Sequence, residues 1–204
     1  MRSILLASSL LYAVSLASQN GHIDTDKIHL GASVVEQRYC ADKGDGFWLL
    51  MRVRLLLSNY DERPIETYVP LDGTAIVSRT KGAAAARHHE LEMHKPDRPL
   101  RPPSGTSWAR VKKEVVSSRE SVESVDIIQL PVREGVNSGR TALTPGAHYL
   151  QMQIDVFPQG TKEFDLVSAA RRIISSPVRI AVLPRRETSI SCSAIGKQWR
   201  AVSK

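Results

Sequence analysis

Residues 143–156 read LTPGAHYLQMQIDV, and this stretch decides the fold. Apolar side chains occupy every second position from Leu150 to Val156. The positions between them carry polar side chains, namely Gln151, Gln153 and Asp155. A period of two is that of a β-strand with one face against a core. The pair Pro145-Gly146 just before it is typical of a turn. The stretch therefore predicts a turn that leads into a long, half-buried strand.

Two earlier stretches show the same alternation. Residues 28–34 place apolar side chains at even positions, and without a bulge the same parity carries Cys40 to the core side. Residues 47–57 place them at odd positions, while the even face begins with Trp48 and Leu50 and then turns basic. This pattern predicts a long central strand with one dry face and one partly wet face.

The rest of the chain adds further strand signals. We expect a hairpin around Asp72-Gly73 and one or two strands across residues 110–130. A short helix is expected within 164–172, followed by a last strand at 178–182 that resumes toward Cys192. The predicted fold class is all-β.

The segment 143–154 resembles the L-x-P-G-x-Y-x-L-x-V signature of immunoglobulin-like and fibronectin-type β-sandwich domains. In that family a Pro-Gly turn feeds the penultimate strand, and residues 175–182 look like its closing strand. The resemblance implies a single enlarged immunoglobulin-like sandwich with a basic, Pro-rich central insertion. His148 stands where the family has an inward Tyr, which puts the usual tyrosine-corner hydrogen bond in question.

The N-terminal stretch 1–17, MRSILLASSLLYAVSLA, has the features of a cleavable signal peptide. Arg2 gives a positive start, an uncharged apolar run follows, and Ser15 and Ala17 form a small-x-small cleavage site. We therefore expect a mature domain of residues 18–204 that is secreted or periplasmic, with no lipid-anchor cysteine. No later apolar run reaches the length of a transmembrane helix, so none is expected after cleavage.

Cys40 and Cys192 are the two cysteines of the chain. In an oxidising compartment an even pair usually forms a disulfide, and two separate buried thiols are the alternative. The bond would close a loop of about 150 residues, worth about 4–5 kcal/mol in the chain-entropy model. The sandwich resemblance places both residues at one end of the domain.

A basic segment, residues 79–113, carries nine Lys or Arg against three acidic residues, whereas the whole chain has a net charge of +7. Such a segment suits an anionic glycan, a lipid surface or another anionic polymer outside the cytoplasm, although surface cations often serve only solubility. Specific nucleic-acid binding is not expected. The candidate anion-binding residues are Arg79, Lys81, Arg87, Arg98, Arg101, Trp108, Arg110, Lys112 and Lys113.

The stretch His88-His-Glu-Leu-Glu-Met-His94 is the one ligand-rich cluster in the sequence. It fails the H-E-x-x-H zinc pattern because Met93 stands where the second His belongs. On a strand, His88, Glu90, Glu92 and His94 would share a face, which makes them weak metal candidates beside the simpler interpretation of a solvated polar face.

No nucleophile motif or Gly-rich phosphate loop is present in the sequence. We therefore expect no cofactor and no enzymatic activity. The leading hypothesis is an exported interaction or structural module that meets an unidentified protein. The alternatives are a protein that binds an anionic glycan or lipid through residues 79–113, and a metal-dependent enzyme that uses the His88–His94 cluster.

Overall fold

The computed structural model describes residues 23–41, 47–69, 71, 74–82, 91–93, 112–132, 142–162, 165–184 and 190–202. These residues form the strands β1 (Ile28–Ala41), β2 (Phe47–Asn59), β3 (Ile65–Val69), β4 (Thr74–Ser78), β5 (Leu91–Met93), β6 (Lys112–Val116), β7 (Ser121–Val132), β8 (Gly146–Pro158), β9 (Arg171–Ile174) and β10 (Val178–Val182). A 3-10 turn at Thr25–Lys27 precedes β1, and the helices are α1 (Leu166–Ala169) and α2 (Cys192–Val202). The fold is all-β, as predicted.

The first sheet is antiparallel, with the strand order β1-β2-β7. Its ladder between β2 and β7 runs from Phe47 opposite Val132 to Ser58 opposite Ser121, which is all of β2 except its last residue. On the β1 side the register shifts by one residue between Val34 and Glu36, which is a β-bulge. A bulge reverses the face to which every later side chain points.

The second sheet has seven strands arranged around β8. Strands β3, β4, β9 and β10 all pair with β8, each along a different part of it. Strand β5 continues the sheet beyond β4, and β6 continues it beyond β3. All of these pairings are antiparallel, so the described strands form two antiparallel sheets.

The core lies between the two sheets and combines the inward faces of β2 and β8. The odd-numbered residues of β2 from Leu49 to Leu57 are fully buried. The even-numbered residues of β8 from His148 to Val156 are buried as well. Both alternations are therefore confirmed, as are two strands within 110–130, the short helix α1 and the strand at 178–182.

The expected hairpin at Asp72-Gly73 is wrong. Strands β3 and β4 each pair with β8, where Ile65 lies opposite Pro158 and Thr74 lies opposite Gln153. Of the residues between these two strands, the structure describes Leu71, which is buried and whose amide donates to Ser124 Oγ of β7 in the first sheet at 2.9 Å. The two residues of the expected turn lie outside the described part.

The expected resumption of the last strand toward Cys192 lies partly outside the described residues, and within them Ser191 forms a parallel bridge with Ala41. From Cys192 to Val202 the chain forms helix α2, which the sequence analysis did not predict. Cys192, Ile195 and Trp199 are buried and recur at a spacing of three and four, which is the period of one helix face. No helix in the described ranges is long and apolar enough to cross a membrane.

Candidate interaction surface

The outer face of the three-stranded sheet is its side away from the core, and α2 covers one half of it. This covered half comprises Cys40, Trp48, Leu50 and Ile127, which pack with Ile195 and Trp199 of the helix. Cys40 belongs here because the bulge after Val34 moves it off the core face, which corrects the parity expected from the sequence.

The predicted disulfide joins Cys40 at the end of β1 to Cys192 at the start of α2, with a Cα–Cα distance of 4.9 Å. Both residues are buried, at 0% and 5% exposure. Beside the bond, the Ala41 amide donates to the carbonyl of Ile190 at 3.0 Å, and Ala41 and Ser191 form a parallel bridge. The disulfide therefore fastens the helix to the edge of the sheet. Such a bond indicates an environment outside the cytoplasm.

A polar network borders the covered half. Arg38 Nε donates to Glu36 Oε1 at 2.6 Å, and Arg38 Nη1 donates to Gln198 Oε1 of α2 at 3.4 Å. The Arg38 guanidinium also lies 6.0 Å from the centre of the Trp199 ring. Glu36 Oε2 lies 3.6 Å from Arg52 Nη1 on the next strand. Arg38 thus links the sheet and the helix by charge as well as by stacking.

The open half of the outer face is formed by the next two rows of the same strands, Ser33–Arg54–Val125 and Gly31–Leu56–Glu123. Leu56 is 42% exposed, and Val35 at the bulge is 48% exposed. Because Gly31 has no side chain, it leaves the flank of Leu56 uncovered. Arg54 Nε and Glu123 Oε1 are 3.2 Å apart in a half-exposed ion pair. This half therefore combines apolar contact area with one charge of each sign.

An aromatic pair lies at the far end of the open half. The His29 and Tyr60 rings meet edge to face with centroids 5.3 Å apart, and Tyr60 is 58% exposed. The backbone of Tyr60 is held because its amide donates to the Lys27 carbonyl at 2.8 Å. Exposed tyrosines with a fixed backbone are common in protein interfaces.

The loop behind Tyr60 depends on the buried carboxylate of Asp61. Burial acts to raise the pKa of Asp61, but hydrogen bonds from backbone amides, among them that of Asp24 at 3.2 Å, together with the charge of Lys27, outweigh it and lower the pKa. The charged form of this carboxylate therefore stabilises the end of the open half.

The basic segment is described only in part: Arg79, Lys81, Lys112 and Lys113 lie within the described ranges, and Arg87, Arg98, Arg101, Trp108 and Arg110 lie outside them. Lys113 forms an ion pair with the buried Glu66 and donates to the Thr161 carbonyl at 2.8 Å. Glu66 Oε1 also accepts from the Gly160 amide at 2.9 Å. Lys113 therefore joins β6 to the end of β8.

Arg79 lies at the opposite end of the second sheet, where its guanidinium donates to Thr144 Oγ1 before β8 begins. Its neighbour Ser78 is opposite Tyr149, nine residues before Pro158, which corresponds to about 30 Å along a strand. Arg79 and Lys113 therefore do not meet in one site. Lys81 and Lys112 are exposed.

Of the candidate metal ligands, the structure describes only the backbone of one residue. His88, Glu90 and His94 lie outside the described residues, and Glu92 is placed only as a backbone position opposite Ile76. Within the described residues, no group of three or more His, Cys, Asp or Glu is arranged to hold a metal ion.

His148 is fully buried on the core face of β8, as its place in the alternation predicts. Its Nε2 donates to the Thr144 carbonyl, four residues earlier, at 2.7 Å. A tyrosine corner also bonds back to the backbone a few residues upstream. The histidine thus makes this kind of backward bond without a tyrosine.

The outer face was missed as a surface by sequence reasoning, although two signals pointed to it. Trp48 and Leu50 are apolar although they lie on the face of β2 expected to be partly exposed to solvent, which indicates that another segment packs on that end of the strand. The helical spacing of Cys192, Ile195 and Trp199 identifies that segment.

No family model matches the chain, and no curated protein matches it. Nine chains of solved structures match. One is a Northeast Structural Genomics Consortium target with 9% identity, which covers 80% of this chain and 97% of its own at a TM-score of 0.40. Another, a Bordetella pertussis protein provisionally named ApaA, has 12% identity over 78% of this chain and 97% of its own at a TM-score of 0.36.

Proposed function

We propose that this chain is an exported, non-enzymatic interaction module that binds a partner protein through the open half. The observation that carries this proposal is the exposure of Leu56 and Tyr60 on a sheet face whose other half is buried under α2. Exposed apolar side chains grouped on one regular surface are typical of protein-binding sites. The Arg54–Glu123 pair beside them supplies polar contacts at the rim.

The proposed framework is an immunoglobulin-like sandwich. Its support is the position of the first strand beside the last: the Leu183 amide donates to the Tyr39 hydroxyl at 2.6 Å, and that hydroxyl lies 3.4 Å from the Ala181 carbonyl. The parallel bridge between Ala41 and Ser191 continues this contact. Fold does not name a function, so the functional proposal depends on the surface alone.

Export is supported by the Cys40–Cys192 disulfide, because such bonds persist in oxidising compartments. The N-terminal sequence gives independent support. An exported module with one disulfide would meet its partner outside the cytoplasm.

Site-specific photo-crosslinking tests the proposed surface. A photoreactive amino acid replaces Leu56 in one variant and Val167 in a control, since Val167 is 72% exposed but lies on α1. We expect a discrete adduct in the producing cell's extracytoplasmic fraction from position 56 and none from position 167. Equal labelling at the two positions, or no adduct at position 56, would contradict the proposal.

A further inference from the structure

We propose that the Cys40–Cys192 disulfide is a redox latch that holds α2 over the covered half. When the bond is reduced, the helix leaves the sheet and exposes an apolar surface while the sandwich stays folded. The proposal concerns the covered half, so it does not depend on the partner proposed for the open half.

The bond lies outside the packing between the two sheets. It does not join the two sheets, because Cys40 points to the outer face of β1 and Cys192 begins α2. The main core is built from the two sheets and the segments between them and includes no residue of α2. Loss of the helix therefore leaves the packing between the sheets intact.

Among its described residues, α2 contacts the sheet through a small buried face and through Arg38, which reaches Gln198 and Trp199. Of its described side chains, only Cys192, Ile195 and Trp199 are buried, while Ser193, Ala194 and Gln198 are exposed. An isolated helix of 11 residues is marginal in water, so α2 needs tertiary contacts to form. The disulfide keeps its first residue at the sheet and so raises the local concentration of Ile195 and Trp199.

The covered half also buries one polar atom at a cost in free energy. Trp48 Nε1 is buried and has no hydrogen-bond partner among the described residues. A buried donor without an acceptor opposes docking, and water would satisfy it once the helix leaves. The helix is therefore in equilibrium between a docked and an undocked position, and the disulfide shifts this equilibrium toward the docked one.

The chemical step is a two-electron reduction by a dithiol. The Sγ–Sγ bond breaks, each sulfur takes up one proton, and the dithiol becomes a disulfide. The product is a chain with two thiols, whose helix is no longer held covalently at its first residue and remains joined to β1 by the Ala41–Ser191 bridge. Leu50, Ile127 and Trp48 then form an exposed patch on the sheet.

Hydrogen exchange measured by mass spectrometry tests the latch on the intact protein, oxidised and after reduction with dithiothreitol. We expect the amides of α2 to exchange at least tenfold faster after reduction, while those of β2 and β8 keep their protection. Unchanged protection of α2 would overturn the proposal. Loss of protection in β8 together with α2 would also overturn it, because the bond would then support the whole domain.

A pair of variants tests whether α2 is held on the sheet by its buried face while the disulfide is intact. Ile195→Asp removes a buried contact of the helix, and Ala194→Asp places the same charge at its exposed neighbour. For Ile195→Asp we expect the amides of α2 beyond its first turn to exchange faster than in the parent. For Ala194→Asp we expect their exchange rates to match those of the parent. Equal exchange in the two variants would show that docking does not depend on this face and would refute the latch.

Discussion

The covered half and the open half of the outer face lie on the same three strands, yet their side chains differ greatly in exposure. Leu50 is 2% exposed and Leu56, six residues further along β2, is 42% exposed. Both are leucines on the same side of the same strand. The difference comes from α2, which is supplied by the far end of the chain. Burial on this sheet is therefore decided by a distant segment as well as by the strand pattern.

Position along β2 also separates the two halves by charge. The border of the covered half contains two arginines and one glutamate, namely Arg38, Arg52 and Glu36. The open half pairs Arg54 with Glu123. The open half is therefore locally neutral, so under the proposed function its charges alone favour neither an acidic nor a basic partner.

The largest effect is expected for Leu49→Ala on the core face of β2. Leu49 is fully buried between the sheets, so its truncation should lower the free energy of unfolding by about 3 kcal/mol. Denaturant unfolding followed by circular dichroism measures the change. A loss below about 1 kcal/mol would mean that the core collapses around the cavity.

Leu50→Ala provides the matched comparison at the next residue. Leu50 is equally buried but packs under α2, so the global free energy of unfolding should fall by only about 1–2 kcal/mol. The exchange of the α2 amides should rise at the same time. If Leu50→Ala destabilises the domain as much as Leu49→Ala, the covered half is part of the cooperative core.

Much of this comparison could be predicted from the sequence. The alternation of residues 47–57 and 148–156 identified the two inward faces, and the cysteine pair identified the bond. The bulge at Val35 could not be predicted, because β-branched residues fit either register. Without it Cys40 was assigned to the wrong face. The open half also has no sequence signature, since an exposed leucine is recognised only once the surrounding rows are known.

Acid should loosen the open half at the Asp61 loop. The pKa of Asp61 is lower in the folded chain than its unfolded value of about 3.9, so its contribution to stability is present above that pH and is lost as the pH falls through the folded value. We expect Asp61→Asn to be less stable than the parent at pH 7. The difference should shrink below about pH 4.

Thermal unfolding at several pH values measures that difference. Asp26→Asn is the control, because Asp26 is an exposed carboxylate of the neighbouring 3-10 turn. It should show a smaller loss at pH 7. If the difference in stability between the parent and Asp61→Asn stays constant down to about pH 2.5, the charge of Asp61 does not stabilise this loop.

The smallest effect is expected for Leu56→Ala in the open half. Gly31 on one side and the Arg54–Glu123 pair around it give Leu56 few apolar neighbours, so its truncation should change the free energy of unfolding by less than about 0.5 kcal/mol. The same substitution should weaken the adduct of a photoreactive group placed at Tyr60, if both residues face one partner. A stability loss near that of Leu50→Ala would instead mean that Leu56 is covered within the folded chain, and the two halves would then be alike.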